Sequence, residues 1–492
     1  MRSSEGVSMA IALSNETYKQ LSGSLHIPLY ERSKLKPAIV HLGVGNFHRS
    51  HFCYYLEQLL NGGHTDWGIE EVDLLLSDTK ERAEGQDFLY SLIAKDSSKA
   101  EELSVIGCIC GYTEGWKEKE KVVALIAAQS TQLITLTITE KGYCYDERTQ
   151  GLDFGHPEII NDLMHPNDPT SAIGFLCLGL QKRFETSRQD VTIASCDNLP
   201  SNSKKLQRCI LDYCKQVFPS SLAWIEACIS FPCSMVDRIT PRTTEDDRQY
   251  LRQNYGFHDD WAVVSEQFLM WVIEPKGVFS YLDFSIAGAI ISEQVEAYEE
   301  MKIRLLNSSH SALAYPAYLL GYTYVDEAMN DPRISRFIRD AYMDEISSTL
   351  SPIKTVSFEE YKDQLIDRFA NPNIRDTILR LAQDGSKKFA TSLIPALSEA
   401  VDHGLAYQTM LLALAFWAQF LVFTKAELID DQQKKILKTL LAKGSYDSFL
   451  VSLGLPEAQA TTIREEFSDL CLFVENSDVG TCLTHYTLDE RS

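Results

Sequence analysis

The sequence predicts an α/β Rossmann-type N-terminal domain joined to a mostly α-helical C-terminal domain. Three observations carry this reading. Short β-branched runs alternate with helical stretches up to about residue 285, a glycine turn follows the first run directly, and helical periodicity dominates from residue 295 onward. At 492 residues the chain has room for more than one domain, and we place the division between 285 and 295, giving domains 1–290 and 291–492.

The first run, 38–42, enters Gly43-Val-Gly45-Asn46-Phe47-His48, after which Tyr55, Leu56, Leu59 and Leu60 recur at helical spacing. A second strand is expected over 72–76, ending near Asp78. Strand, glycine turn, helix and strand form the opening unit of a doubly wound sheet. Further strands are expected over 103–109, 132–138 and 191–194, with helices over 116–128 and 171–184. In the second half, helices are expected over 298–320, 333–343, 357–369, 374–382, 394–423 and 432–442. The most apolar window, 410–423, falls short of the roughly 20 residues that span a bilayer, so it reads as a buried helix.

Composition narrows the function classes. Lys and Arg total 46 against 69 acidic residues, a formal net charge of −23, which repels phosphate backbones and anionic lipid surfaces. Neither nucleic acid nor membrane is an expected partner. The 12 cysteines lack a C-x-x-C pair and read as reduced thiols, which points to the cytoplasm. No metal is expected.

Three groups of residues could carry chemistry. Gly43 and Gly45 allow a tight reversal and close approach of a pyrophosphate to a helix start, and Asp78 could accept hydrogen bonds from an adenosine ribose, favouring NAD. Lys80 and Arg82 lie close enough to serve NADP instead. Lys302, Asn307 and His310 fall at about 0°, 140° and 80° around an α-helix. A lysine among Ile303, Leu305 and Leu306 is placed to lose its charge and act as a base. Asn198 follows a strand at its carboxyl end and, with Asn307, could donate to an oxygen gaining negative charge. A base, two amide donors and a histidine beside a nucleotide fold suggest hydride transfer between a secondary alcohol and a ketone.

These residues sit in longer blocks: GVGNFHRSH from Gly43, TLTITEKGY from Thr135, CDNLPSN from Cys196, FPCSMVDRITP from Phe231, KIRLLNSSHSALAY from Lys302, then DRFANPNIRDT and DGSKKF from Asp367 onward. Together they resemble the mannitol dehydrogenase family of long-chain polyol dehydrogenases, from about residue 30 to 425. The resemblance implies an NAD- or NADP-dependent, zinc-independent enzyme, many of whose members are monomers. It implies Lys302 as catalytic base, Asn198 and Asn307 as oxyanion donors, and His310 on the substrate. Asp237, Arg380 and Lys388 are implied polyol contacts. Cofactor contacts are implied at Gly43, Gly45, Asn46, Phe47, His48, Asp78, Thr139 and Glu140. The chain departs from the family's usual pattern at Asn46 and Cys233, and at Leu269 and Met270, where Arg and Gln are common.

The leading expectation is interconversion of D-mannitol and D-fructose. The alternatives are a hexuronate reductase acting on fructuronate or tagaturonate, in which Arg380 or Lys388 clamps a carboxylate, a D-arabinitol dehydrogenase, and a catalytically silent nucleotide-binding protein.

Overall fold

The computed structural model describes residues 10–21, 25–75, 78–96 and 99–486. They form two compact units that divide after Glu296.

The first unit is built on six parallel strands, β1 (Pro37–Leu42), β2 (Gly68–Asp73), β3 (Ile109–Glu114), β4 (Leu133–Leu136), β5 (Val191–Ser195) and β6 (Ile229–Ser230). Their order across the sheet is β6-β5-β4-β1-β2-β3, the doubly wound arrangement in which strand order reverses between β1 and β4. Parallel strands covered on both faces lose the in-out alternation of an exposed sheet, and β2, β4 and β5 are buried at every position. One face packs on an aromatic cluster in which Trp271 meets Phe284 and Tyr55 with ring centroids 5.0 and 5.2 Å apart. The other packs on helices Ala172–Thr186 and Asn202–Val217 through Leu176, Leu180, Leu206 and Ile210.

Among the described residues this unit also holds two two-stranded sheets, Ile11–Ala12 with Phe257–His258 and Tyr145–Asp146 with Gly151–Leu152, and two three-stranded ones. Tyr90–Lys95 lies between Glu102–Ile106 and Val263–Glu266, and Met270–Ile273 lies between Ser234–Asp237 and Ile290–Ile291.

The second unit is helical in its described residues. Gln408–Phe423 is buried along most of its length and contacts helices Ser308–Leu319 and Glu457–Asn476. No helix among the described residues is long and apolar enough to cross a membrane.

Four expected elements differ in extent. The second strand is Gly68–Asp73 rather than 72–76, because its acids are paired inside the sheet while Leu75 is left 76% exposed; residue 76 lies outside the described residues. The strand expected over 103–109 resolves into Glu102–Ile106 in a small sheet and the start of β3. The helix expected over 394–423 is two, Gly385–His403 and Gln408–Phe423, separated where Gly404 takes a left-handed φ of 64°. Over 374–382 only Ile378–Leu381 is helical.

Candidate active site

In the first unit the site begins at the turn after β1, on the sheet's reversal point. Gly43 has φ +101°, and a Cβ there would lie 2.2 Å from the Thr137 carbonyl oxygen at the end of β4. Glycine is thus required for the two strand ends to meet. Around Gly45 a Cβ would meet nothing within 4 Å. Gly45 caps the helix Asn46–Ser50 in extended conformation, leaving its backbone open to close approach. This is the fit a dinucleotide pyrophosphate requires. Asn46 accepts a hydrogen bond from Arg49 at 2.7 Å, and Phe47 stacks on His51 with centroids 5.0 Å apart.

The His48 side chain points away from this turn. Its ring is fully buried, stacks on His41 with centroids 3.3 Å apart, and lies 2.7 Å from Glu71. His41 is in register with Glu71 on one side and Thr135 on the other, so a polar row crosses three strands beneath the glycine turn. Its imidazole lies 3.0 Å from the Gly43 carbonyl and 2.9 Å from the Thr137 hydroxyl. Burial holds His41 well below the usual histidine range and Glu71 well above the carboxylate range, so both favour their neutral forms. Sequence reasoning missed His41 and Glu71. The available signal was a histidine and a glutamate inside apolar strands.

Asp78 lies five residues beyond the end of β2, is exposed, and pairs with Arg82. The carboxylate at the strand end itself is Asp73, which accepts from the Tyr112 hydroxyl at 2.9 Å and the Leu75 amide at 3.1 Å.

Asp197, which the sequence places at a strand end without showing its role, organises the ends of β4 and β5. Asp197 accepts from the Ile138 amide at 2.9 Å, the Thr139 amide at 3.0 Å and the Tyr143 hydroxyl at 2.6 Å. Thr139 is held at φ 62°, and it begins the short helix Thr139–Gly142 that carries the exposed Glu140. Asn198, also exposed, directly follows this brace. Asn202 then donates to the Asp197 carbonyl at 3.1 Å and the Ser234 carbonyl at 2.7 Å. The loop bearing Asn198 is so tied to the strand Ser234–Asp237, where Asp237 is buried in register with Met270.

In the second unit, Lys302 is only 4% exposed and opens a π-helical stretch, Lys302–Asn307, between helices Val295–Met301 and Ser308–Leu319. The Ser308 amide bonds to the Ile303 carbonyl, the five-residue step of this geometry. A wider turn rotates less per residue than an α-helix. It therefore brings Asn307 closer to the Lys302 face than the 140° expected for an α-helix.

Three residues further on, His310 lies against Phe369 with ring centroids 4.5 Å apart. Burial is the main cause that pulls its imidazole down to about 3, and the charges of Asp376, Arg380, Arg368 and Lys388 also act on it. It is therefore neutral across the physiological range. Arg380 is paired with Asp376 four residues before it, and Lys388 donates to the Leu381 carbonyl at 2.8 Å. His310, Arg380 and Lys388 thus share one charged neighbourhood.

Burial, helped by the nearby Arg380 charge, pulls the Lys388 amine down to about 8. Below that pH it is a cation; above it the charge is lost. The KM for substrate is expected to rise as pH passes through about 8. Lys388→Met is expected to raise KM about tenfold at pH 7 and to abolish this inflection, read from initial rates between pH 6 and 10.

Comparison with known proteins places these features in a family. Residues 37–282 match the mannitol dehydrogenase Rossmann domain and residues 294–446 the mannitol dehydrogenase C-terminal domain. Mannitol dehydrogenase 2 of Saccharomyces cerevisiae is 35% identical over 447 residues, 89% of each chain. Mannitol 2-dehydrogenase of Aspergillus oryzae is 34% identical over 472 residues, 93% of each. Among solved structures, the Pseudomonas fluorescens mannitol 2-dehydrogenase ternary complex with NAD and D-mannitol is similar with a TM-score of 0.84 and 32% identity, covering 96% of this chain and 99% of that one. A substrate-free D-sorbitol dehydrogenase is similar with a TM-score of 0.86 and 29% identity, covering 96% and 100%. With both family domains matched in order and relatives aligned over most of their length, the chain belongs to the mannitol dehydrogenase family.

Proposed function

We propose that this chain is an NAD-dependent polyol dehydrogenase that interconverts D-mannitol and D-fructose, with Lys302 as general acid and base. The observation that carries the proposal is the buried Lys302 opening a π-helical turn beside Asn307. In oxidation the neutral Lys302 amine takes the proton of the reacting hydroxyl, and in reduction the protonated amine returns it. Asn307 and Asn198 donate to the substrate oxygen as charge develops on it. His310, held neutral, hydrogen-bonds the substrate beside the reacting carbon. Asp237, Lys388 and Arg380 contact the remaining hydroxyls.

Gly43, Gly45, Asn46 and Phe47 hold the cofactor pyrophosphate, Asp78 its ribose, and Thr139 and Glu140 lie along the β4 end of its path. His48 serves through the turn it anchors, since its ring is buried against Glu71. NAD, when bound, supplies the hydride acceptor.

A hexuronate would need a guanidinium or ammonium for its carboxylate; Arg380 is paired with Asp376, which leaves that role to Lys388, and the relatives named for mannitol favour the uncharged polyol. We also read the chain as a cytoplasmic monomer. Following NADH and NADPH oxidation with fructose, xylulose, fructuronate and fructose 6-phosphate tests the proposal. Fructose with NADH is expected to give the highest kcat/KM; turnover confined to fructuronate, or absent with all four, overturns it.

A further inference from the structure

We propose a divalent metal site for a zinc-like ion at Cys144, His156 and Glu158, none of which belongs to the groups assigned to polyol chemistry. Cys144 directly precedes the hairpin formed by Tyr145–Asp146 and Gly151–Leu152. His156 caps the next helix, Pro157–Met164, and Glu158 stands in its first turn. One donor atom from each residue lies within 4.8 Å of the other two.

The Cys144 sulfur and His156 Nδ1 are 3.4 Å apart. Zinc bonds of about 2.3 Å to sulfur and 2.0–2.1 Å to nitrogen at a tetrahedral angle place those two atoms about 3.5 Å apart, so this pair is already at the spacing of two ligands on one ion. Glu158 is exposed and closes the third corner by side-chain rotation, leaving a fourth position for water.

Two further observations fit a cation. Cys144 is 3% exposed, which protects a bound thiolate from solvent. The carboxylates of Glu158, Asp162 and Asp153 act on the same spot, and a negative field attracts a divalent ion. Binding replaces the S–H bond by a metal–sulfur bond and releases one proton to solvent, with no change of oxidation state. The ion would staple the hairpin to the helix start and stabilise the folded chain by mass action.

Cobalt(II), whose thiolate complexes absorb in the near ultraviolet, is the probe, added to chelator-treated full-length protein without nucleotide. The expected result is a thiolate-to-cobalt band saturating at one equivalent, displaced by zinc and absent in Cys144→Ser. Because Cys144→Ser removes a buried group, Glu158→Gln is the second arm. It alters an exposed side chain and is expected to weaken cobalt binding at least about tenfold without changing the circular dichroism spectrum. Zinc is also expected to raise the Tm of the wild type and not that of Cys144→Ser. Absence of the band in the wild type, an unchanged band in Cys144→Ser, or undiminished affinity in Glu158→Gln overturns the site.

Discussion

Replacing Lys302 with alanine is expected to lower kcat by a factor on the order of 10³ to 10⁴ while leaving NADH affinity within about twofold. The reason lies in what remains. Lys302 is buried beside Met301, Leu305 and Leu306, which are buried too and carry no titratable group, so the substitution removes the amine and none of these neighbours replaces it. His310 cannot take its place, because an imidazole drawn down to about 3 is too weak a base to accept an alcohol proton near neutrality. Lys302→Arg is expected to be nearly as inactive, since a guanidinium does not give up its proton. Small primary amines added to Lys302→Ala are expected to restore part of the rate, because they fit the space the side chain vacates. Steady-state rates with fructose and NADH, beside NADH fluorescence titration, check this. A Lys302→Ala rate within tenfold of the wild type sinks the assignment of the base.

The alternating first half was legible because strands covered on both faces are mostly apolar, and runs such as Val191–Ser195 are mostly apolar at that length. The second strand shows where the pattern misleads. Leucines 74–76 read as its second half, yet the strand is Gly68–Asp73 and holds three buried acids. Each has a partner supplied from elsewhere: Glu70 accepts from Thr113 at 2.6 Å and pairs with Lys121, Glu71 faces His48, and Asp73 accepts from Tyr112. Burying a carboxyl is costly until such partners exist. They come from residues distant in sequence, so no local window contains the information.

The candidate site divides in the same way. Lys302, Asn307 and His310 were legible as one face because they lie on one helix. The π-helical stretch that adjusts their spacing was not, since its apolar residues satisfy ordinary helical periodicity equally well. Asp197 was visible at a strand end, but its role comes from the Ile138 and Thr139 amides, nearly 60 residues earlier in the chain. By contrast, the capture of Arg380 by Asp376 spans only four residues, from just before the helix Ile378–Leu381 into it, so both partners lie in one local window of the sequence.

The glycine turn offers the sharpest separation of fold from function, because its two glycines are required for different reasons. Gly43→Ala is expected to destabilise the protein by about 3 kcal/mol. At φ +101° an alanine is strained, and its methyl would sit 2.2 Å from the Thr137 carbonyl oxygen, a backbone atom that cannot swing aside. Relief requires the ends of β1 and β4 to part, disturbing the contacts His41 makes with Gly43 and Thr137. Both Tm and NADH affinity should therefore fall. Gly45→Ala is expected to fold like the wild type, since φ is −115° and its methyl meets nothing within 4 Å. That open space is where a pyrophosphate must approach the backbone, so NADH affinity should still drop at least about tenfold. Thermal unfolding beside NADH titration reads both variants. If Gly45→Ala binds NADH as tightly as the wild type, the nucleotide does not lie against this turn, whatever Gly43→Ala does to stability.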